Sequence, residues 1–326
     1  KGNAIFIVDA DTGALIWKAV LDSAATTPSY DAATKTYRRD DLLDSIPSEV
    51  AAIDSDGNGL VDRMYVGDTG GVLWRVDAYC KNQDGTDCGV NAAWKMTKLL
   101  SVGRHTSTAL ADDRRFFYAP AYVQARDSTG EYDAVLLGSG DRENPKDTAV
   151  TNWFYMYKDR GVASNSASAT TITHTALTDV SCLDTADSTC NASYPNGWKL
   201  KLVCPPDAPA SCGEKTTSLA VALGHSIYFS TYVPQSGSSA CVLDEGTGNL
   251  YGLNLQDAAA VEDFYPGNNS GTTTLLRRDR SRQLASKGMP SEIVPVGGGR
   301  YLGGDYRPGD SGAKPGYRTY WYEKKR

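Results

Sequence analysis

Apolar and aromatic residues recur along the chain in short runs that are separated by Gly, Asp and Asn. Val, Ile, Tyr, Phe and Trp dominate these runs and favour strands, whereas the separating residues favour tight turns. Only residues 41–52 and 256–263 have a helical pattern, so the sequence predicts an all-β chain. The predicted strands are residues 4–8, 15–18, 63–66, 72–76, 116–120, 133–138, 153–157, 226–232, 250–255, 300–304 and 319–322.

A strand–turn–strand unit repeats within this pattern. Residues 8–17 contain an Asp-Thr-Gly turn followed by a Trp, residues 65–74 repeat the unit, and residues 244–251 form a looser third copy. Asp can cap such a turn, Gly can supply positive φ, and the aromatic residue that follows falls where a strand would bury it. Repeated hairpins of this kind are typical of propeller blades and resemble quinoprotein-type repeats. At roughly 45 residues per blade, one domain spanning 1–326 would form a seven-bladed β-propeller. The alternative is chance similarity among Gly-rich hairpins.

One acidic loop carries the clearest chemical signal. Residues 54–62 read Asp-x-Asp-x-Asn-Gly-x-x-Asp. Calcium prefers six to eight oxygen ligands, and this spacing offers the side chains of Asp54, Asp56, Asn58 and Asp62 with the carbonyl of Leu60. Three carboxylates within nine residues repel one another unless a cation lies among them. The sequence therefore predicts a Ca2+ site.

The acidic loop is not a complete EF-hand. Its twelfth position is Tyr65 instead of the bidentate Glu, and residues 63–66 are predicted to be a strand. We therefore expect an EF-hand-like loop that leads into a β-hairpin, with Asp62 as a bidentate ligand. A metal-free turn rich in Asp, Asn and Gly is the alternative.

The cysteine spacing indicates the compartment. Six of the seven cysteines form three C-x7-C segments, namely Cys80/Cys88, Cys182/Cys190 and Cys204/Cys212, and Cys241 is left over. The interpretation is three short loops, each closed by its own disulfide, which favours an exported protein. Scattered reduced thiols are the alternative, and zinc-ligand spacings are missing.

Composition and motifs argue against three other classes of protein: nucleic-acid-binding proteins, membrane-spanning proteins and serine proteases. The net charge of −6 argues against a nucleic-acid partner, and no apolar run approaches the roughly 20 residues needed to span a bilayer. The Gly-Asp-Ser-Gly segment at 309–312 resembles a protease nucleophile segment, but the three histidines show none of the surrounding pattern of such a triad.

Several segments together resemble the C-terminal domain of the PilY family, the type IV pilus tip-associated biogenesis factors and adhesins. The acidic loop with the following Asp68-Thr69-Gly70-Gly71 and residues 74–77 is the most specific part, and residues 2–17, 138–145, 246–251 and 318–321 add to it. This similarity covers nearly the whole chain.

The resemblance implies a modified seven-bladed β-propeller without enzymatic activity, with one Ca2+ on a blade-edge loop. It also implies that calcium occupancy helps to control whether the pilus extends or retracts. The implied roles of the protein are twitching motility, surface attachment and host adhesion. The implied partners are pilin, minor pilins and host or abiotic surfaces. The implied location is the periplasm or outer membrane and the cell surface at the pilus tip, and the chain would be the C-terminal part of a longer exported protein.

Two other functions fit parts of the pattern. A quinoprotein-type dehydrogenase would have similar repeats and calcium beside a quinone, but the chain has neither adjacent cysteines nor a C-x-x-C-H haem motif. An integrin-like scaffold propeller would repeat the acidic loop in several blades, whereas one such loop is found here.

Overall fold

The computed structural model describes residues 2–55, 57, 59–78, 94–161, 170–182, 193–202, 212–235, 245–264, 275–296, 299–302 and 305–308, with side chains up to residue 295. The helical elements within these ranges are 3₁₀ turns at Leu110–Asp112, His174–Ala176 and Arg277–Arg280. No helix in the described part of the chain has the length and apolar character needed to cross a membrane.

Strands make up nearly all the regular structure, so the all-β prediction is confirmed. They are β1 (Ala4–Val8), β2 (Leu15–Leu21), β3 (Ser29–Asp31), β4 (Thr36–Arg39), β5 (Ala51–Ile53), β6 (Arg63–Gly67), β7 (Val72–Asp77), β8 (Lys95–Ser101), β9 (Ala121–Asp127), β10 (Gly130–Gly138), β11 (Trp153–Asp159), β12 (Ile172–Thr173), β13 (Thr178–Asp179), β14 (Gly197–Lys201), β15 (Lys215–Thr216), β16 (Val221–Leu223), β17 (Ser226–Val233), β18 (Thr247–Asn254), β19 (Ser281–Lys287), β20 (Val294–Val296), β21 (Gly299–Leu302) and β22 (Asp305–Pro308).

These strands form five sheets in the described residues, which follow one another along the chain except that β12, which comes after β11, joins the second sheet. The strand orders are β1-β2-β4-β3, β12-β8-β7-β6-β5, β13-β14-β11-β10-β9, β15-β17-β18-β19 with β16 on β17, and β20-β21-β22. We number these sheets 1 to 5. Most neighbouring strands are antiparallel, and the central hairpins β6–β7, β10–β11 and β17–β18 have continuous register.

The first four sheets pack face to face in chain order, because each strand points alternate residues to opposite faces. On β6, Met64 and Val66 join a cluster with Trp17 of sheet 1, whereas Tyr65 joins a cluster with Val135 of sheet 3. A third cluster joins sheets 3 and 4. Neighbouring propeller blades pack in this way. The number of seven blades stays a prediction.

The two closest copies of the Asp-Thr-Gly turn have the predicted geometry. Asp9 accepts the Thr12 N–H at 2.7 Å, and Gly13 has a φ of +70°. Asp68 is fully buried and accepts the Trp74 indole N–H at 2.8 Å. Burial raises the pKa of Asp68 to about 6. Trp17 and Trp74 are both fully buried, as predicted for the aromatic residue after each turn.

Three predicted elements are wrong. Residues 116–120 are not a strand, although Phe116 is buried and its N–H donates to Asp68 O at 3.0 Å. Residues 41–50 are not helical, because their backbone binds distant segments; the Ile46 N–H, for example, donates to Gly2 O at 2.9 Å. Residues 256–263 form turns and an isolated bridge. The predicted strand 319–322 lies outside the described residues.

Two of the seven cysteines lie in the described part of the chain. Cys182 and Cys212 are each disulfide-bonded. Cys80, Cys88, Cys190, Cys204 and Cys241 lie outside the described residues. The pairing within three C-x7-C loops therefore stays a prediction.

Candidate metal centre

The acidic loop connects two strands at the edge of sheet 2. β5 is the edge strand and pairs with β6, so Ile53 lies opposite Arg63 across the hairpin. The Asp62 N–H donates to Ile53 O at 2.8 Å, which closes the loop at its base. The loop is thus held at both ends by the sheet, as predicted for a loop that leads into a β-hairpin.

Asp54, at the first loop position, is oriented by the loop backbone. The Gly57 N–H donates to its Oδ1 at 2.7 Å, and the Gly59 N–H donates to its Oδ2 at 2.8 Å. Both glycines have positive φ, at +78° and +89°. Only a residue without Cβ adopts this backbone at little cost, so these glycines let the loop curl around the Asp54 carboxylate.

Asp62, at the ninth position, is the most buried candidate ligand in the described part of the loop. Its exposed fraction is 3 %. Oδ2 accepts hydrogen bonds from the Ser55 N–H, at 2.6 Å, and from the Ser55 hydroxyl. Oδ1 is buried and has no hydrogen-bond partner among the described residues. A buried carboxylate oxygen without a donor is costly, and a cation would satisfy it.

The remaining predicted ligands are only partly defined. The Leu60 side chain is 62 % exposed, which fits a residue expected to contribute its carbonyl. Asp56 and Asn58 lie outside the described residues. The described residues alone contain no group of three or more His, Cys, Asp or Glu side chains that could hold a metal ion. The five-ligand set therefore stays a prediction.

The acidic loop also contacts the neighbouring sheet. The side-chain amide of Gln124 on β9 donates to Ser55 O at 3.3 Å. Arg63, directly after Asp62, binds Asp133 on β10 through its Nε at 3.1 Å. The loop thus lies at the junction between sheets 2 and 3.

Sequence reasoning missed a buried ionic network at the same junction. Arg75 on β7 binds Asp159 on β11 at 2.7 Å and Asp77 at 2.8 Å. The Tyr65 hydroxyl lies between two carboxylates, 2.8 Å from Asp159 and 2.9 Å from Asp133, and can donate its one proton to either. With Arg63, these residues form one hydrogen-bonded network that crosses between the two sheets.

Electrostatics keep Arg75 charged despite its burial. Burial alone would lower the pKa of Arg75, but the carboxylates of Asp159 and Asp77 outweigh burial and hold it above its ordinary value. Burial is the main cause that raises the pKa of Tyr65, so the hydroxyl remains a proton donor. The network thus joins sheets 2 and 3 through directional bonds in addition to apolar packing.

No family model and no curated protein matches the sequence. Among solved structures, the crystal structure of the Pseudomonas aeruginosa PilY1 C-terminal domain matches with a TM-score of 0.61 and 16 % sequence identity. The match covers 94 % of this chain and 66 % of that chain, so this chain spans about two thirds of that structure's length. The expected relationship to PilY C-terminal domains is therefore confirmed at the level of fold: this chain has the fold of the PilY1 C-terminal domain.

Proposed function

We propose that this chain is a calcium-binding, non-enzymatic component of a type IV pilus system. The observation that carries the proposal is the shared fold with the PilY1 C-terminal domain over 94 % of the chain. The sequence resemblance to the PilY family supports it independently, since the acidic loop and the turn at 68–71 carry that resemblance. Pilin or minor pilins, host surfaces and abiotic surfaces are the proposed partners, and the pilus tip is the proposed location.

The described loop residues fit a calcium ion. The Oδ1 atom of Asp62 lacks a donor, and the Asp54 carboxylate is held in place by two loop amides. Because Ser55 already donates twice to Oδ2 of Asp62, Oδ1 is the oxygen that we expect to bind the cation. This differs from the bidentate role that the sequence predicts for Asp62. A bound calcium ion would supply two positive charges against the three negative charges of the carboxylates.

The loop residues can convert cation binding into a change at the sheet edge. Without a cation, the carboxylates of Asp54, Asp56 and Asp62 repel one another. The loop base is fixed by the bond from Asp62 to Ile53, so the repulsion would loosen the outer part of the loop. The contact from Gln124 to Ser55 would then weaken. We propose that a pilus partner recognises this edge only when the loop is ordered.

Calcium titration of chelator-treated protein is expected to show one saturable site. Such loops bind with Kd values from about micromolar to millimolar, and loss of one ligand charge in Asp62→Asn should weaken binding at least about tenfold. Isothermal calorimetry measures both proteins. Asp11→Asn is the matched control, because Asp9 and Asp11 form a similar Asp-x-Asp turn without a third carboxylate. Absence of saturable binding below about 10 mM would remove the calcium proposal.

In cells that make the full-length protein, Asp62→Ala is expected to reduce surface piliation and twitching motility. The expected cause is an acidic loop that no longer becomes ordered when calcium is added. Pilus shearing and stab-agar motility assays measure the effect, with Asp11→Ala as the control and immunoblots to confirm equal protein amounts. Unchanged piliation and motility would contradict the gating proposal, while calorimetry would still decide whether calcium binds.

A further inference from the structure

We propose that a cavity between sheets 1 and 2 binds an acidic sugar, a ring that carries both a carboxylate and hydroxyl groups. The cavity has a volume of about 440 Å³ and lies between β4 and β8. Arg39, Asp41, Lys95 and Lys98 line it, and Tyr37 and Pro28 add apolar surface. It is separate from the acidic loop, whose residues do not line it.

The charge of this cavity is opposite to that of the chain. Three cationic side chains face one carboxylate, an excess of two positive charges, whereas the whole chain has a net charge of −6. A concave site with cations in low-dielectric walls concentrates ligands of the opposite charge. The cavity therefore favours an anionic ligand.

Three of the four charged groups, Arg39, Asp41 and Lys98, are held in fixed positions before any ligand binds. Arg39 binds Asp41 through two bonds, at 2.7 and 3.0 Å, and a third donor of Arg39 binds Met96 O. The guanidinium carbon lies 4.9 Å from the centre of the Trp74 ring. Lys98 Nζ lies 2.7 Å from Asp41 and 5.3 Å from the same ring centre. Such preorganisation reduces the entropy cost of binding.

Asp41 restricts the class of anion. Burial opposes its ionisation, but hydrogen bonds from Arg39 and Lys98 outweigh burial and lower its pKa to about 2. Asp41 is therefore an acceptor at physiological pH, and it repels an anion that has no donor groups. A ligand that fits both groups needs a carboxylate for the lysines and hydroxyl donors for Asp41.

The size of the cavity and the ring of Tyr37 point to a sugar ring. A volume of about 440 Å³ lies within the roughly 300–1,000 Å³ of typical small-molecule sites. Tyr37 is 8 % exposed and stacks on Trp17, so its ring is a rigid wall against which the C–H face of a sugar can pack. Lys95 is exposed at the rim, where its ammonium can reach a carboxylate from solvent.

Calorimetric titration with sodium glucuronate tests this assignment. We expect saturable binding with a Kd of about millimolar, the strength of a few polar contacts. Lys95→Met and Lys98→Met should each weaken binding about tenfold, roughly the loss of one charge-assisted contact. Lys287→Met, a change at an exposed lysine of sheet 4, should leave it unchanged. Because Lys95 is exposed, we expect Lys95→Met to fold normally. This variant therefore tests the assignment even if Lys98→Met fails to fold.

Three further ligands distinguish the acidic sugar from simpler explanations. Glucose lacks the carboxylate and should bind at least about tenfold more weakly than glucuronate. Phosphate and N-acetylglutamate carry negative charge without the ring of hydroxyls. If either bound as tightly as glucuronate, the acidic-sugar assignment would be wrong. The assignment also fails if glucuronate shows no saturation, or if both lysine variants bind it like the unmodified protein.

Discussion

Replacing Arg75 by methionine is expected to lower the free energy of unfolding by about 3–5 kcal/mol, because the change leaves buried carboxylates without their cation. The Arg75 side chain is fully buried, and the side chains of its partners Asp159 and Asp77 are 1 % and 9 % exposed. Methionine replaces much of the aliphatic volume, so the cost is mainly that of the unpaired charges. The Tyr65 hydroxyl and the Gly161 N–H would remain as donors to Asp159. These two bonds limit how much the free energy of unfolding falls.

Arg38 provides a matched control on the surface. It also lies between two aspartates, Asp22 at 3.3 Å and Asp31 at 3.4 Å, but its side chain is 37 % exposed. Exposed ion pairs contribute about 0–1 kcal/mol, so Arg38→Met should have a small effect. Urea unfolding at pH 7, followed by tryptophan fluorescence, compares the two variants. Equal losses would show that the network between sheets 2 and 3 contributes no more than a surface pair.

The strands that the sequence predicted correctly are those with short runs of apolar and aromatic residues and flanking turn residues. β1 and the hairpin β6–β7 show this pattern, with Asp68 at the turn between the two strands of the hairpin. β9 was missed because Gln124 and Arg126 lie on its exposed positions and dilute its apolar content. β15, with two residues, is too short for any periodic signal.

Residues 41–52 show a different limit of the sequence pattern. Leu42 is fully buried against the cluster between sheets 1 and 2, and the intervals between apolar residues in this segment resemble those of a helix. The Thr69 N–H donates to Ser45 O at 2.8 Å, so the backbone is satisfied by another loop rather than by a helical turn. Tertiary hydrogen bonds of this kind have no local sequence signal.

The candidate metal loop and the ionic network differ in how much the sequence revealed. The loop ligands fall within nine residues, so spacing alone identifies them. Arg75 and its partner Asp159 are 84 residues apart, and Arg63 and Asp133 are 70 apart. The sequence shows charges at inward strand positions of β6 and β7, but only the packing of sheets 2 and 3 shows which carboxylates they meet.

The second large effect concerns Glu214, which precedes β15. It is 1 % exposed, and its Oε1 accepts hydrogen bonds from Thr231, Asn249 and Tyr251. Oε2 is buried without a hydrogen-bond partner among the described residues. Burial raises the pKa of Glu214 from 4.5 to about 7. The folded chain therefore holds a proton on this carboxyl at pH values where the unfolded chain has released it.

Stability should consequently fall as the pH rises through this window. Below pH 4.5 the carboxyl is protonated in both states and has no pH-dependent effect. Between pH 4.5 and about 7 the folded state binds more protons than the unfolded state, so the free energy of unfolding decreases with pH. The full decrease is about 3 kcal/mol, from about 1.4 kcal/mol per pKa unit. Above that window the loss is complete and constant.

Glu214→Gln is expected to remove this dependence. Glutamine has the same shape, stays neutral at every pH, and keeps an oxygen for the donors from Thr231, Asn249 and Tyr251. The variant and the unmodified protein should unfold at similar urea concentrations at pH 4.5, and the variant should be more stable by about 2–3 kcal/mol at pH 8. Glu131→Gln, at an exposed position of β10, controls for the loss of one negative charge. The difference in stability between Glu214→Gln and the unmodified protein could instead be the same at both pH values. That result would show that Glu214 is ionised in the folded chain throughout this range. Its buried carboxylate would then be stabilised by the three donors alone.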